Sequence, residues 1–121
     1  MLAVSTVGPD NASVAAEPFI LADAAKHTDD DSLDVFLMQE AVYLASANHA
    51  DLETVVSPGF DSIETLVQDG LDDDVIDDVV VCEPCAAARC VDETDLRDWA
   101  TMGGPDDLGR LTDEHDTTLT F

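Results

Sequence analysis

The sequence predicts a single α/β domain over residues 1–121, with a mostly parallel sheet of about five strands and helices on both faces. Short apolar runs alternate with segments of helical periodicity along the chain. The run DVVVC at 78–82 contains three successive valines, which is typical of a strand covered on both faces. A chain of 121 residues is long enough for one domain with one core.

The strands are predicted from apolar runs that end at turn residues. Gly8-Pro9-Asp10 ends the first run, and Ser57-Pro58-Gly59 ends the third. The last run is expected to be an edge strand that pairs or is covered in an oligomer. The five predicted strands are 2–7, 33–38, 52–56, 78–82 and 117–121.

Helices are predicted between these strands. Asp10 or Asn11 is expected to cap the first helix, in which Pro18 predicts a kink or a late start. Asp61 is expected to cap the third helix and Gly70 to end it. The predicted helices are 11–26, 39–48, 61–69, 85–89, 94–101 and 106–114, and the acidic run 29–31 is predicted to be a turn.

The composition is strongly acidic. The chain has 28 Asp and Glu against 4 Lys and Arg, a formal net charge of -24 at pH 7, and Lys26 is its only lysine. Repulsion of this size loosens a compact domain in dilute buffer, whereas molar salt shortens the Debye length to about 3 Å and screens it. The acids are spread along the whole chain. We therefore expect a salt-adapted protein of the haloarchaeal type, with an anionic surface made for a basic partner as the alternative.

Several classes of protein are not expected from this composition. A hydrophobic content of 45% is too high for a disordered acidic tail. No apolar stretch approaches the roughly 20 residues of a membrane helix, and the first residues lack the positive charge of a signal peptide. Direct nucleic-acid binding needs Lys and Arg, which are scarce here. No nucleotide-binding loop such as G-x-G-x-x-G occurs. We expect a cytoplasmic protein with no membrane partner, no nucleic-acid partner and no cofactor.

Two cysteines stand where a predicted strand meets a predicted helix. Cys82 ends the valine-rich run, and Cys85 falls in the first turn of the next helix, in the motif CEPC. Sites in parallel sheets lie at the carboxyl ends of strands. Backbone N–H groups at a helix start stabilise a thiolate, and Arg89 adds positive charge one turn later. The pattern predicts a thiol of lowered pKa that acts as a nucleophile or sulfur carrier.

The cysteines have other interpretations. An odd count in a cytosolic chain argues against a disulfide framework. A zinc site would need two more ligands from Cys90 or the histidines, and no second ligand motif occurs, so no metal is expected. Only 36 residues (121 minus 85) follow Cys85, too few for the second half of a thioredoxin-type domain, although dithiol redox chemistry on another scaffold stays open. Cys90 is expected to be an inert, buried residue.

The string VCEPCAAARC at 81–90, followed by VDETDL at 91–96, resembles the cysteine region of the DsrE/DsrF sulfur-relay family. The resemblance covers nearly the whole chain. It implies a doubly wound α/β domain that forms a homo-oligomer, often a trimer or hexamer. It also implies that one cysteine accepts sulfane sulfur as a persulfide and passes it on, with sulfur donor and acceptor proteins as partners. The other matching segments are PFILADAA at 18–25, FLMQEAVYLA at 36–45, SPGFDSIETLV at 57–67 and the closing DTTLTF.

The family pattern is carried over residue by residue. Cys82 matches the sulfur-accepting cysteine, and Arg89 matches an arginine that follows it. Cys85 is an additional thiol relative to the best-studied carriers, and Cys90 stands where a glycine is common.

Two more residues complete the candidate set. Gln39 and Glu40 follow the second predicted strand at the same edge as Cys82, where they are expected to line a pocket. An acid at a helix start is more commonly explained by the helix dipole. His49 and His115 are expected at the surface, without a functional partner.

Three functions are consistent with the sequence. In the first, Cys82 attacks a donor persulfide, Cys85 assists or resolves, and Arg89 stabilises the anion. In the second, the chain is a non-catalytic oligomeric scaffold or binding protein with structural cysteines. In the third, Cys82 and Cys85 form a reversible disulfide. Whether the protein is a sulfurtransferase enzyme stays open.

Overall fold

The computed structural model describes residues 1–29 and 32–121, and its centre is a five-stranded sheet in the order β4-β3-β2-β1-β5. All neighbouring strands are parallel, so the predicted α/β class is confirmed. The strands are β1 (Leu2–Ser5), β2 (Leu33–Leu37), β3 (Ile76–Cys82), β4 (Ala100–Gly103) and β5 (Thr118–Thr120). The helices are α1 (Ala12–Ala15), α2 (Glu17–Ala25), α3 (Ile63–Asp72), α4 (Glu83–Ala88) and α5 (Pro105–Glu114), with 3₁₀ helices at Gln39–Ala45 and Glu93–Asp95.

The strands advance across the sheet from β1 to β4, and α5 then returns the chain to β5 beside β1. At the carboxyl edge, Ser5 is level with Leu37, Leu37 with Val81, and Val81 with Met102. All of β2 is buried, as is β3 from Val79 onward, as expected of central strands with both faces covered.

Two hydrophobic clusters fill the core. The larger contains Phe19, Leu44 and Ile63 from the segments between β1 and β3. The smaller contains Phe36 and Cys82 together with Leu111 of α5. Cys82 therefore belongs to the part of the core that α5 helps to form.

The first helical segment is divided as Pro18 predicts. The Asn11 side chain accepts a hydrogen bond from the Val14 N–H at 3.4 Å and caps α1. A new helix, α2, begins at Glu17, so Pro18 falls in its first turn, where the missing N–H costs no helical hydrogen bond.

Two predicted elements are wrong, and both errors have tertiary causes. Residues 52–56 are a loop with a single bridge from Val56 to Ser62, and their apolar side chains Leu52 and Val55 are buried as loop anchors. Residues 94–101 do not form the predicted helix: the first two end the 3₁₀ helix Glu93–Asp95, and the last two belong to strand β4. Arg97 ties this segment to the Gln39–Ala45 helix: its N–H donates to the Ala45 carbonyl and its Nε to the Leu44 carbonyl at 3.3 Å.

The predicted limits of the third helix are also wrong. Ser62, rather than Asp61, is the cap, because its hydroxyl accepts from the Thr65 N–H at 3.3 Å. Gly70 lies inside α3, where a Cβ would stand 2.5 Å from Ile76 Cδ1. Close packing of the helix on β3 thus explains the glycine. The predicted turn at 29–31 lies partly outside the described residues.

The acidic side chains lie almost entirely at the surface. Among the described Asp and Glu residues, Asp34 alone is buried. No helix in the described ranges has the length and apolar character needed to span a bilayer.

Candidate functional site

Cys82 is the last residue of β3 and the N-cap residue of α4. Cys85 lies in the first turn of that helix, after Pro84, and its side chain is within hydrogen-bonding reach of the Cys82 thiol. The predicted strand–CxxC–helix junction at the carboxyl edge of the sheet is therefore present. The tight helical turn brings the two thiols together.

The ionisation expected of Cys82 is wrong in direction. Burial is the largest influence, and with the Cys85 side chain it raises the pKa of Cys82 above its ordinary value of 9.0. The Cys85 backbone N–H and the positive charge of Arg89 lower this pKa, but they do not offset burial. Cys82 is only 5% exposed, and α4 has only six residues. Cys82 is therefore a neutral thiol at neutral pH.

The other two cysteines are more accessible than Cys82. Cys85 is half-buried and packs against both core clusters. Cys90 is exposed, so the expectation that it is buried is wrong. Cys90 has φ of 57° at the residue after the C-cap of α4. Its N–H donates to the Ala87 carbonyl, and the Val91 N–H donates to the Ala86 carbonyl, in a Schellman motif. Glycine is favoured at this position because of its left-handed backbone.

Arg89 connects the cysteine helix to the end of β2. Its Nη1 donates to the Cys85 carbonyl at 3.1 Å, and its Nη2 donates to Gln39 Oε1 at 3.0 Å. The same Nη2 lies 3.3 Å from both carboxylate oxygens of Glu40. We call Arg89, Gln39, Glu40 and the Cys85 carbonyl the Arg89 cluster. All five predicted site residues thus lie together at the carboxyl ends of β2 and β3.

The backbone around Gln39 and Glu40 is constrained. The α-helix predicted over 39–48 is a 3₁₀ helix, and Gln39 has φ of 51°, which costs about 1 kcal/mol in a non-glycine residue. Gly8, in the loop after β1, allows this segment to approach: a Cβ there would stand 2.8 Å from the Glu40 carbonyl oxygen. The sequence signals Gly8 only as the end of a strand.

The two histidines differ in environment. His49 is exposed as expected, with its Nδ1 2.6 Å from the Ser46 hydroxyl. His115 is not a free surface residue: its Nε2 lies 2.6 Å from Asp34 Oδ2, and both side chains are largely buried. Asp34 also accepts the Asp78 N–H at 3.0 Å. In the sequence, this pair is indicated only by an aspartate inside the apolar run LDVFL.

In residues 1–29 and 32–121, no group of three or more His, Cys, Asp or Glu side chains is placed to hold an ion. The chemistry available at this edge of the sheet is that of the two neighbouring thiols of Cys82 and Cys85 beside the Arg89 guanidinium.

Comparisons with known proteins agree with this architecture. A family model described as the DsrE/DsrF-like family matches residues 1–121. The crystal structure of the ychN protein from E. coli is similar over 99% of this chain and 97% of that one, with a TM-score of 0.74 and 21% identity. The structure of MTH1491 from Methanobacterium thermoautotrophicum, a protein of unknown function, covers the same shares at a TM-score of 0.70 and 11% identity. The structural similarity to these two proteins shows a shared fold. No curated protein matches the sequence.

Proposed function

Because this chain belongs to the DsrE/DsrF-like family, we propose that it is a cytoplasmic sulfur-relay protein whose Cys82–Cys85 pair carries one sulfane sulfur as a persulfide. The observation that carries the proposal is the contact between a half-buried thiol and a buried neutral thiol beside Arg89. A relay site must receive sulfur at one accessible atom and hold it away from competing reactions. The accessible Cys85 sulfur meets the first need, and the neutral Cys82 thiol meets the second because it does not attack a persulfide on Cys85.

Cys85 is the entry thiol in this proposal, because it is more exposed than Cys82. The Cys85 thiolate attacks the outer sulfur of a donor persulfide. A new S–S bond forms on Cys85, the donor S–S bond breaks, and the electron pair leaves with the donor thiolate. The neutral Cys82 thiol donates a hydrogen bond to the sulfur anion, and Arg89 adds a nearby positive charge.

Delivery reverses the same exchange. An acceptor thiolate attacks the outer sulfur of the Cys85 persulfide, takes that atom, and returns Cys85 as a thiolate. No electrons are gained or lost overall. The high pKa of Cys82 matters here, because a Cys82 thiolate would attack the inner sulfur, form a Cys82–Cys85 disulfide and release hydrosulfide.

Persulfide loading tests the proposal. The reduced protein is incubated with glutathione persulfide, and the mass of each cysteine peptide is measured. We expect one added sulfur on Cys85 in the wild type and in the matched control Cys90→Ser. Loading should disappear in Cys85→Ser and persist in Cys82→Ser. No added sulfur in the wild type, or sulfur at Cys90 alone, would refute the proposal.

A dithiol redox role is the second candidate, and the proximity of the two thiols favours it. In that case mild oxidation of the reduced protein gives an intramolecular Cys82–Cys85 disulfide that dithiothreitol reverses. Titration against glutathione buffers separates the two roles. A disulfide at cytoplasmic potentials, together with no stable persulfide, would favour the redox role.

The remaining parts of the proposal concern location, assembly and salt. Three free thiols suit a reducing compartment such as the cytoplasm. A homo-oligomer is part of the proposal, and its interface would cover large apolar side chains that are exposed in the single chain, such as Val56, Phe60 and Leu119, at 44%, 50% and 38%. The peripheral placement of the acids supports salt adaptation, because surface carboxylates repel one another unless salt screens them. Native mass spectrometry checks the subunit number.

A further inference from the structure

A depression of about 450 Å³ opens beside the Arg89 cluster. Its walls come from the loop after β1 and from the 3₁₀ helix after β2 together with the turn that follows that helix. It therefore lies at the carboxyl edge of the sheet, where the two thiols also lie. The lining residues are Pro9, Asp10, Glu40, Tyr43 and His49.

The lining combines negative charge with an aromatic ring. Asp10 and Glu40 are exposed carboxylates, and Tyr43 is half-buried. The Tyr43 ring packs against His49 with centroids 5.4 Å apart, and the buried Ser46 hydroxyl holds His49 through Nδ1. Carboxylates pair with a guanidinium, and an aromatic face attracts a cation. Arginine satisfies both kinds of group, since its planar head stacks and forms paired hydrogen bonds.

We propose that this depression binds an arginine or lysine side chain of the protein that delivers or receives the sulfur. This inference rests on the sulfur-relay function proposed above and names the chemistry of the partner surface. At low ionic strength the net charge of -24 acts in the same direction, because it attracts a basic partner during diffusional encounter; in molar salt only the short-range contacts within the depression remain.

Glu40 connects the depression to the thiol site. Its carboxylate lines the depression and also accepts from Arg89 Nη2, while Arg89 Nη1 holds the Cys85 carbonyl. A cation in the depression therefore shares Glu40 with Arg89. A partner anchored there has its neighbouring residues beside Cys85, where a reactive cysteine must approach.

Nuclear magnetic resonance titration tests the binding. The probe is N-acetyl-argininamide, added to the reduced, unloaded protein in salt at which the protein is fully folded, and N-acetyl-glutaminamide is the neutral control. Tyr43 is the only tyrosine, so its ring signals report on the depression directly. We expect saturable shifts at Tyr43 and His49 with the arginine probe and none with the neutral probe.

Two variants of equal charge change locate the site. Asp10→Asn removes a carboxylate from the depression, and Asp113→Asn removes an exposed one from α5. Asp10→Asn should weaken binding by about two- to fivefold, the usual effect of one exposed ion pair, and Asp113→Asn should leave it unchanged. Equal effects of the two variants, or unmoved Tyr43 signals, would overturn the inference. The titration contains no sulfur donor and does not depend on persulfide loading. Arginine binding can therefore fail while loading succeeds, so the two experiments test this inference and the proposed function separately.

Discussion

Replacing His115 with leucine should loosen α5 from the sheet and expose Cys82. His115 follows α5, and its Nε2 is 2.6 Å from the carboxylate of Asp34 in β2. Leucine fills a similar volume but donates no hydrogen bond, so the Asp34 carboxyl group loses its histidine partner in a site where its side chain is only 11% exposed. The substitution therefore tests the connection between α5 and the central strands.

The expected cost follows from the burial of the pair. A hydrogen bond to a charged group contributes about 1.5–3 kcal/mol, and a buried polar group left without its partner costs about 1–3 kcal/mol or more. Because both side chains keep slight exposure, we expect a loss of about 2–3 kcal/mol. For a domain of this size that loss lowers Tm by roughly 6–15 °C. Urea unfolding and thermal unfolding in KCl measure both quantities.

Alkylation supplies a second, local measurement. Leu111 of α5 and Cys82 belong to the same hydrophobic cluster, so opening of α5 uncovers the Cys82 thiol. If all of the lost free energy comes from local opening of α5, the population of the open state rises about 30- to 150-fold, since about 1.4 kcal/mol corresponds to tenfold. The alkylation rate of Cys82 rises by the same factor.

The matched control is His27→Leu, which makes the same substitution at an exposed histidine. It should change stability by less than about 0.5 kcal/mol. Asp34→Asn in the His115→Leu background replaces the carboxyl group with an amide that can still accept the Asp78 N–H, and it should restore part of the loss. If His115→Leu behaves like His27→Leu, the assigned role of the Asp34–His115 pair is refuted.

Further predictions concern one backbone position, one pKa and the surface charge. Cys90→Gly should raise stability by up to about 1 kcal/mol, measured by urea unfolding, because glycine adopts the left-handed backbone without a steric penalty; a loss would contradict the Schellman assignment. Burial raises the pKa of Cys82 above 9.0, so folding favours the protonated thiol. The protonated thiol therefore contributes fully to stability below pH 9.0, and this contribution declines as the pH rises toward the pKa of Cys82 in the folded protein. The rate of Cys82 modification by iodoacetamide should reach half of its maximum above pH 9.0, and a midpoint below pH 9.0 would contradict the raised pKa. Raising KCl from about 0.1 to about 2 M should increase Tm, since it screens the repulsion of a -24 chain, and an unchanged Tm would argue against salt adaptation.

The sequence predicts the fold well where periodicity and burial agree. The valine-rich run, the break at Pro18 and the last helix all follow from local chemistry. The sheet has five strands as predicted, yet one of the five is a different segment. Residues 52–56 have strand composition but provide loop anchors, whereas the β4 residues pair with β3 next to a loop that is held by Arg97. Such long-range hydrogen bonds leave no periodic signal.

The membership of the site was predictable, but its ionisation was not. Strand ends and the helix start indicate that Cys82, Cys85 and Arg89 lie near Gln39 and Glu40, because parallel strands bring their carboxyl ends to one edge. The direction of the Cys82 pKa depends on how much hydrocarbon covers the sulfur. That cover includes Leu111 of α5, nearly thirty residues later in the chain.

Delivery of the carried sulfur tests the central claim most directly. The protein is loaded with glutathione persulfide, freed of donor and treated with cyanide, which removes a sulfane sulfur as thiocyanate and leaves the cysteine thiolate. The account predicts one thiocyanate per loaded chain from the wild type and from Cys90→Ser, and none from Cys85→Ser. Thiocyanate released equally by Cys85→Ser, or a Cys82–Cys85 disulfide with free sulfide in place of thiocyanate, would contradict a sulfur relay on this pair.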